Sequence, residues 1–277
     1  MLAIKSKKAI ITVVWLCVIL MLFVGVLLTG TQSKRHETIK EIMRDAVLHD
    51  TNHVSLFGIK DVNPGLVSAF IITIGLLVTA TLIRVFFVPK FKYVPSKSQL
   101  LLEQIVDLFN SFAKDKSPHR NRFIGAYIFG AGMYIFFGTL FELFGFQAIT
   151  TTGYPITLPA PLSDINGAIA LGCLSYLVIL TGGIISNGFK GLITALKDFS
   201  MPLSMSFRLF GALLSGVLVT ELVYYYIHLS FVLPILVGVL FTLLHAVIQT
   251  YVLVMLTTTS YGEVSLSHKK EIGGFQN

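Results

Sequence analysis

Long apolar stretches separated by polar segments make up most of this 277-residue chain. Six of these stretches are each about as long as the roughly 20 helical residues that cross the hydrocarbon core of a bilayer. They lie near residues 9–30, 66–88, 123–146, 167–187, 203–227 and 231–260. The pattern predicts an all-α polytopic membrane protein with about six hydrophobic helices, the last two of which form a long hairpin.

The composition excludes a soluble protein. Hydrophobic residues make up 54% of the chain and charged residues 13%, whereas about 25% of the residues of a typical soluble domain are charged. The mean hydropathy is +0.79. Both cysteines, Cys17 and Cys173, lie in apolar runs and predict no disulfide framework. The net charge of +7 comes from short loops and forms no basic stripe, so membrane lipids are predicted as partners and nucleic acid is not.

The first apolar run has features of a targeting segment as well as those of a membrane helix. It follows Lys5, Lys7 and Lys8, as in a secretory signal, but it is longer than the 7–15 residues usual in a signal core. Residues 1–30 are therefore either a signal anchor, which the length favours, or a removed signal peptide. The other predicted domains are an extracytoplasmic polar segment at 31–65, a membrane domain at 66–260 and a cytoplasmic tail at 261–277.

Lysine and arginine residues are distributed unevenly between the two sides that six spans define. Fourteen of the 21 lie on the side of the termini, five lie opposite in residues 31–65, and two lie within spans. Short cytoplasmic loops of membrane proteins carry an excess of Lys and Arg. Both termini are therefore predicted to be cytoplasmic if the first helix is retained.

The polar segments contain one candidate metal site and one candidate surface helix. Asp45, His49 and His53 would share a helix face, but a solvated helix explains them better than a metal site does, so no metal is predicted. Residues 97–115 carry apolar side chains on one helical stripe, which predicts an amphipathic helix at the membrane surface. The apolar positions are Leu100, Leu101, Ile105, Leu108, Phe109 and Phe112.

Arg208 is the strongest candidate for a functional residue, because an ionisable side chain at bilayer depth costs several kcal/mol. It lies inside the span that begins near Pro202. The residues that share its helix face are small and would let another helix approach closely. They are Ser204, Gly211, Ala212 and Ser215. The alternatives are ordinary packing of small residues and an Arg208 side chain that extends to the interface.

The last span carries a polar stripe that suits this arginine. Thr242, His245 and Gln249 lie at i, i+3 and i+7 on an otherwise apolar helix. In an antiparallel hairpin, Gln249 would reach the depth of Arg208 and hold its guanidinium with a neutral hydrogen bond. For His245, structural and functional roles are equally consistent with the pattern. Glu221 lies 13 residues beyond Arg208 and points away from the Arg208 face, so the two should not pair directly.

These residues resemble a known family. The segment Arg208-Leu-Phe-Gly211, preceded by Pro202-Leu-Ser204 and followed in the next helix by Gln249, is similar to subunit a of F-type ATP synthases. Three weaker matches agree, and the resemblance covers roughly residues 66–260. They are Glu142-Leu-Phe-Gly145, Pro161-Leu-Ser163-Asp164-Ile-Asn166 and Val254-Met-Leu-Thr257.

The resemblance implies a stator subunit that lets ions cross the membrane beside a rotating ring of small, carboxylate-bearing rotor subunits. Arg208 would separate two half-channels, and the last two helices would face the ring through Gly211, Ala212 and Ser215. Peripheral stalk subunits and the soluble ATPase sector would be further partners. The chain would not be an enzyme by itself, would need no cofactor and would lie in a bacterial cell membrane.

The sequence departs from the family pattern at four positions. Ala212 stands where Asn is usual, and Val217 stands where many members have an acid. Thr242 stands where many members have His or Glu, and Glu142 replaces the usual Asn. The residues that line the half-channels are therefore predicted to differ from those of other members.

Polar residues at membrane depth supply the half-channel candidates. Glu221 and His245 each lie one helical turn from the positions that the family uses, and we predict that they form a functional pair. The outer half-channel candidates are Glu221, His245, Glu142 and Asp164. For the inner half-channel, the sequence offers Ser204 and Ser206.

Two other function classes compete with this hypothesis. A secondary transporter could use an intramembrane arginine to bind an anionic substrate, but such folds often show internal repeats and paired broken helices, which are absent from this sequence. A non-transporting membrane scaffold gives no reason to keep Arg208, Glu221 and Gln249 at depth. Purification together with a small ring subunit and a soluble ATPase would distinguish the three classes.

Overall fold

The computed structural model describes residues 54–56, 59–118, 121–151, 155–225 and 237–266, with separate short pieces at 13–17, 19–21, 24 and 40. The strands and helices from residue 54 onwards, in chain order, are β1 Val54–Leu56, β2 Ile59–Val62, α1 Pro64–Leu82, α2 Lys97–Lys116, α3 Asn121–Leu140, β3 Gln147–Ile149, β4 Pro155–Thr157, α4 Ile165–Lys197, α5 Ser200–Tyr225 and α6 Leu243–Ser265. Short π-helical or 3-10 turns at Ile83–Phe87, Val88–Lys90, Phe141–Phe144, Pro161–Ser163 and Gly238–Thr242 complete the pattern.

Five segments of the described chain are long and apolar enough to cross a membrane, which confirms the all-α polytopic fold. They are Pro64–Lys90, Arg122–Phe144, Ile165–Lys197, Ser200–Thr220 and Gly238–Ser265. Of the first predicted span, 9–30, only the short pieces 13–17, 19–21 and 24 are described, and these are helical. The group Asp45, His49 and His53 and the tail beyond residue 266 lie outside the described residues.

Two antiparallel hairpins lie at the ends of the helices and cover a small apolar core. β1 pairs with β2 through Val54 and Val62, β3 pairs with β4, and a bridge between Val54 and Thr150 joins the hairpins. The apolar side chains beneath them come from α1 and from the segments that flank the strands. This core contains Val54, Val62, Val67, Ile72, Phe141 and Leu158.

The predicted amphipathic helix is present as α2, and its apolar stripe is divided between two environments. Ser96 caps the helix by accepting from the backbone N–H of Gln99. Phe109 is buried and makes an edge-to-face contact with Phe129 of α3 at 5.4 Å between ring centroids. Leu101 and Leu108 are 60% and 55% exposed. One side of the stripe therefore packs on the helices, and the other remains available to the bilayer interface.

The segment 188–200, which separates the predicted spans 167–187 and 203–227, is mostly helical. Gly188 has φ 59° and ψ −136°, so the chain reverses there, and the rest of α4 continues as helix to Lys197. Glycine adopts this left-handed region without the steric cost of a Cβ. The returning helix packs closely, because Tyr176 Oη donates to the Ala195 carbonyl at 3.1 Å. Its exposed face carries the apolar side chains of Phe189, Ile193 and Leu196.

The long helices pack around α4 and α6. α6 lies against both α3 and α4, whereas α5 packs mainly on α4 and only lightly on α6. The predicted hairpin of the last two helices is therefore held together largely through α4. The contact of α4 with α5 is close at Gly172, where an added Cβ would lie 2.9 Å from the Pro202 carbonyl oxygen and would also collide with Ser206 Oγ. At the other end of α4, Gly182 makes room for the ring of Tyr261 on α6.

We expect Gly172→Ala to destabilise the protein by about 1–3 kcal/mol, because a methyl group forced into a packed contact displaces backbone. Gly75→Ala is the matched control, since a Cβ on Gly75 of α1 would meet nothing within 4 Å. The measurement is the unfolding midpoint of each purified variant in mixed micelles with increasing denaturing detergent. Equal midpoints for the two variants would contradict the close contact between α4 and α5.

Candidate functional site

Arg208 lies on a face of α5 that the rest of the described chain leaves uncovered. Its neighbours Met205 and Leu209 are each only 2% exposed and attach the helix to the protein. Arg208 itself is exposed. The small residues on its face behave likewise, because Ser204, Gly211 and Ser215 are exposed and Ala212 is half-buried. An added Cβ on Gly211 would meet nothing within 4 Å.

Arg208 and Gln249 line one open recess between α5 and α6, which we call the Arg208 recess. Its other lining residues are apolar, namely Met205, Leu209, Val252, Leu253 and Leu256. Gln249 is 6% exposed, and its Oε1 atom has no hydrogen-bond partner in the described part of the chain. An unpaired buried acceptor costs about 1–3 kcal/mol. The recess therefore holds an open acceptor beside a guanidinium that can donate five hydrogen bonds.

His245 lies one turn before Gln249, where α6 passes Gly216 of α5. A Cβ on Gly216 would lie 3.9 Å from His245 Nδ1, and the imidazole contacts Phe241 edge to face at 5.7 Å between ring centroids. Arg208 is thus near Gln249 while the later residue Gly216 is near the earlier residue His245, so α5 and α6 run antiparallel here. Both predicted neighbours on α6 therefore face α5.

Glu221 lies on α5 five residues beyond Gly216, and its side chain is outside what the structure describes. With a rise of 1.5 Å per residue, its backbone is about 8 Å along the helix from the level of His245. The two residues lie on neighbouring helices, on the same side of Arg208 along α5. A direct hydrogen bond between them would need long side chains or a bridging water.

Glu142 lies at the same end of the molecule as the start of α6. It belongs to the 3-10 turn Phe141–Phe144 that follows α3, and its side chain is half-buried. This turn packs against the π-helical turn Gly238–Thr242, with Gly238 close to Leu143. Thr242, which begins the polar stripe of α6, is 7% exposed. The structure therefore brings Glu142 near the first residues of that stripe, whereas it does not bring it to the Arg208 recess.

Asp164 lies apart from the recess and joins the ends of two helices. Its Oδ1 atom accepts from the backbone N–H of Asn166 at 3.1 Å and caps α4. Its Oδ2 atom accepts from Asn63 Nδ2 at 3.1 Å. Asn63 in turn caps α1, because its Oδ1 atom accepts from Gly65 N at 2.8 Å. Both carboxylate oxygens of Asp164 are therefore used by the fold.

The two candidate serines of α5 differ in their surroundings. Ser206 is 4% exposed and donates to the Pro202 carbonyl at 2.7 Å, in the close contact with Gly172. Ser204 is exposed on the Arg208 face. Ser206 is therefore enclosed between α4 and α5, and of the two serines only Ser204 borders the uncovered face.

Two polar contacts in the structure have no counterpart among the predictions from the sequence. Tyr127 Oη and Ser175 Oγ are 2.8 Å apart between α3 and α4, and Asn63 bonds to Asp164 across 101 residues. Neither pair has a signal in sequence spacing, although Asn63-Pro64 by itself indicates a helix start. Among the described residues, no group of three or more His, Cys, Asp or Glu side chains could hold a metal ion.

Comparison with known proteins gives a consistent result. Residues 67–261 match the family model described as ATP synthase A chain. Three relatives are each described as ATP synthase subunit a. The protein of Sulfurihydrogenibium sp. is 25% identical over 68% of this chain and 92% of its own length. That of Cereibacter sphaeroides is 23% identical over 75% and 81%, and that of Buchnera aphidicola is 24% identical over 63% and 73%.

We expect Asp164→Ala to lower stability by about 1 kcal/mol through loss of the α4 cap. Asp164→Asn should restore much of that stability, since its amide oxygen can still accept from Asn166 N. The measurement is the unfolding midpoint of each variant, together with the ion transport rate per assembled complex. An Asn variant that is stable but cannot transport ions would assign Asp164 to the ion path instead of to the fold.

Proposed function

Because this chain belongs to the ATP synthase A chain family, we propose that it carries ions through the membrane stator of an F-type ATP synthase, along two half-channels that Arg208 separates. The five apolar spans and the family make it a multi-pass membrane protein. The name shared by its relatives, ATP synthase subunit a, supports the stator role. The same match disfavours a secondary transporter.

The observation that carries this proposal is the position of Arg208. A guanidinium at membrane depth on an uncovered helix face needs a partner that supplies negative charge. The small residues Ser204, Gly211 and Ser215 on that face leave room for another helix to approach. A rotor helix that carries a carboxylate meets both requirements.

The mechanism follows from the cost of charge in lipid. A rotor carboxylate can face lipid only when a proton or sodium ion neutralises it. Opposite Arg208, the ionised form is favoured, because a nearby cation stabilises a carboxylate. The ion therefore leaves the carboxylate before Arg208 and another ion enters after it, from a separate aqueous path. Each elementary charge that crosses 100 mV supplies about 2.3 kcal/mol.

Gln249 suits this mechanism because it is neutral. Its open Oε1 acceptor lines the recess of Arg208, where it can hold the guanidinium between encounters with rotor carboxylates. A carboxylate at this position would pair with Arg208 permanently. The neutral amide orients the cation and leaves its charge available.

We assign the outer half-channel to Glu221, His245 and Glu142. His245 and Glu142 lie on the side of Arg208 toward the start of α6, and the Glu221 backbone lies on that side as well. Ser204, on the other side of Arg208 and exposed, is the candidate for the inner half-channel. In this arrangement Arg208 stands between the two paths.

The remaining assignments follow from the sequence and the family. The partners would be the ring of rotor subunits, the peripheral stalk subunits and, through the complex, the soluble ATPase sector. The basic loops would place both termini in the cytoplasm of a bacterial cell and residues 31–65 outside. The chain itself would catalyse no reaction, because ATP chemistry would belong to the soluble sector.

We expect Arg208→Lys to impair coupled transport strongly. Lysine keeps the charge but lacks the planar fork, and its pKa falls readily in a desolvated site, whereas arginine stays charged. Arg208→Ala should abolish coupling and add a passive leak. The measurement is ion-gradient formation and ATP synthesis in inverted vesicles.

The matched control is Arg122→Ala, which removes an exposed arginine at the start of α3. This control should keep normal coupling, and all three variants should assemble in a pull-down. Normal coupling in Arg208→Ala would refute the proposed function. A failure of Arg208→Ala to assemble would instead assign Arg208 to packing.

We also expect Glu221→Gln and His245→Ala each to slow ion-driven ATP synthesis several-fold while ATP hydrolysis by the detached soluble sector stays normal. The reason is that each removes a group that can exchange ions or order water in the outer half-channel. Glu263→Gln, at an exposed position near the end of α6, serves as the control. Unchanged synthesis in both test variants would show that other residues form this half-channel.

A further inference from the structure

The second half of α1 leaves the helix bundle. All buried residues of this helix lie in its first nine positions, namely Pro64, Gly65, Val67, Ser68 and Ile72. From Thr73 to Lys90, none of the described residues is buried. The helix therefore packs at its outer end, and its other end extends alone towards the basic side of the membrane.

This free end carries a cluster of positive charge in a segment that contains no acidic residue. Arg84, Lys90, Lys92 and Lys97 are all exposed, and the sequence contains no Asp or Glu between Asp61 and Glu103. We call residues 84–97 the basic elbow, because the chain bends there from α1 into α2. Its net charge of four positive side chains is uncompensated within the segment.

Aromatic and aliphatic side chains surround these charges. Phe86 and Phe87 are 56% and 47% exposed, while Tyr93 and Val94 are 107% and 84% exposed. Tyrosine is typical of the level of lipid headgroups, where its ring and hydroxyl are both satisfied. Arg84 lies six residues before Lys90, about 9 Å deeper along the helix, within reach of the headgroups through its long side chain.

The elbow is held in a fixed conformation by Gln99. This side chain is 6% exposed and forms two hydrogen bonds with the backbone of Lys92: its Oε1 accepts from Lys92 N at 3.0 Å, and its Nε2 donates to Lys92 O at 3.0 Å. The same Nε2 atom donates to Glu103 Oε1 at 2.8 Å. These hydrogen bonds of Gln99 hold the backbone of Lys92 beside the start of α2, so Lys92 and Tyr93 remain on the outside of the bend.

We propose that the basic elbow binds the phosphate headgroup of an anionic phospholipid. The uncompensated charge attracts an anion, and the exposed apolar side chains around it fit acyl chains rather than the polar surface of an acidic protein. Gln99 acts as a positioning residue, because it touches the Lys92 backbone and not the lipid. The site is independent of ion translocation at Arg208.

The test uses the full-length chain in vesicles. Trp15 is the chain's single tryptophan, so Tyr93→Trp in a Trp15→Phe background gives one fluorophore at the elbow. Quenching is compared between brominated phosphatidylglycerol and brominated phosphatidylcholine. We expect phosphatidylglycerol to be favoured about fivefold at low salt, the effect of roughly one well-placed basic residue at an anionic surface, and less so in 1 M salt.

Neutralising the elbow with Arg84→Gln, Lys90→Gln and Lys92→Gln together should remove the preference. The control Lys190→Gln with Lys197→Gln, at exposed positions in the second part of α4, should keep it. Gln99→Ala should reduce the preference for phosphatidylglycerol, while the fluorophore introduced by Tyr93→Trp should still be quenched by both lipids. Equal quenching by the two lipids when Arg84, Lys90 and Lys92 are all intact would overturn the proposal. A second result would also overturn it. If the neutralised elbow kept its lipid preference in vesicles, and the same variant in the complex lost peripheral stalk subunits in a pull-down, the elbow would contact a protein.

Discussion

The close approach of α4 to α5 and α6 is the constraint on which the site depends. In a membrane, lipid tails are as apolar as leucine, so helices associate through close contact rather than through the hydrophobic effect. Gly172 allows the backbone of α5 to approach at Pro202, and Gly182 allows Tyr261 of α6 to pack against α4. α5 and α6 touch each other only lightly. The relative position of Arg208 and Gln249 is therefore set through α4.

This indirect arrangement explains why the recess stays open. Two helices packed tightly against each other would close over Arg208 and fill its surroundings with side chains. Because α5 and α6 instead rest on a shared helix, a gap remains between Met205 and Leu256, and the guanidinium reaches its edge. The small exposed residues next to Arg208 leave space beside the guanidinium for another helix. The geometry combines a rigid base with an uncovered charged face.

Five of the six predicted spans are present in the described part of the chain, and both these spans and the choice of Arg208 as a candidate rest on local signals in the sequence. Hydropathy over about 20 residues reports a span, and a cation within one stands out against apolar neighbours. The packing partners could not be predicted, because helices such as α3 and α5 are apolar on nearly all sides and the pattern does not distinguish a lipid-facing side from a buried one. The short helix that follows Gly188 could not be predicted from hydropathy either, because it is much shorter than the roughly 20 residues of a span.

In the candidate site as well, some relations between residues could be predicted from the sequence and others could not. Gln249 could be matched to Arg208 because an antiparallel hairpin relates residues at equal distance from its turn. The tie between Asn63 and Asp164 could not be found, because hydrogen bonds across 101 residues have no period. The position of Asp164 before the fourth span predicts a place in the outer half-channel, whereas in the structure its two carboxylate oxygens accept from Asn166 N and Asn63 Nδ2. Depth and charge identify residues whose burial has a high desolvation cost, but the role of such a residue depends on the groups that it contacts.

In the function proposed above, the neutrality of Gln249 would link this geometry to transport. At an effective dielectric constant of 20, opposite unit charges 4 Å apart attract by about 4 kcal/mol, which would make a fixed carboxylate at position 249 compete with every arriving rotor carboxylate. An amide that donates no charge leaves the full attraction of Arg208 to the moving partner. An unpaired Oε1 atom has a cost of its own, and in the proposed mechanism a hydrogen bond from the guanidinium would offset that cost whenever the rotor carboxylate leaves. In that mechanism, alternation between Gln249 and a rotor carboxylate would let the Arg208 cation stay at one depth while its partner changes.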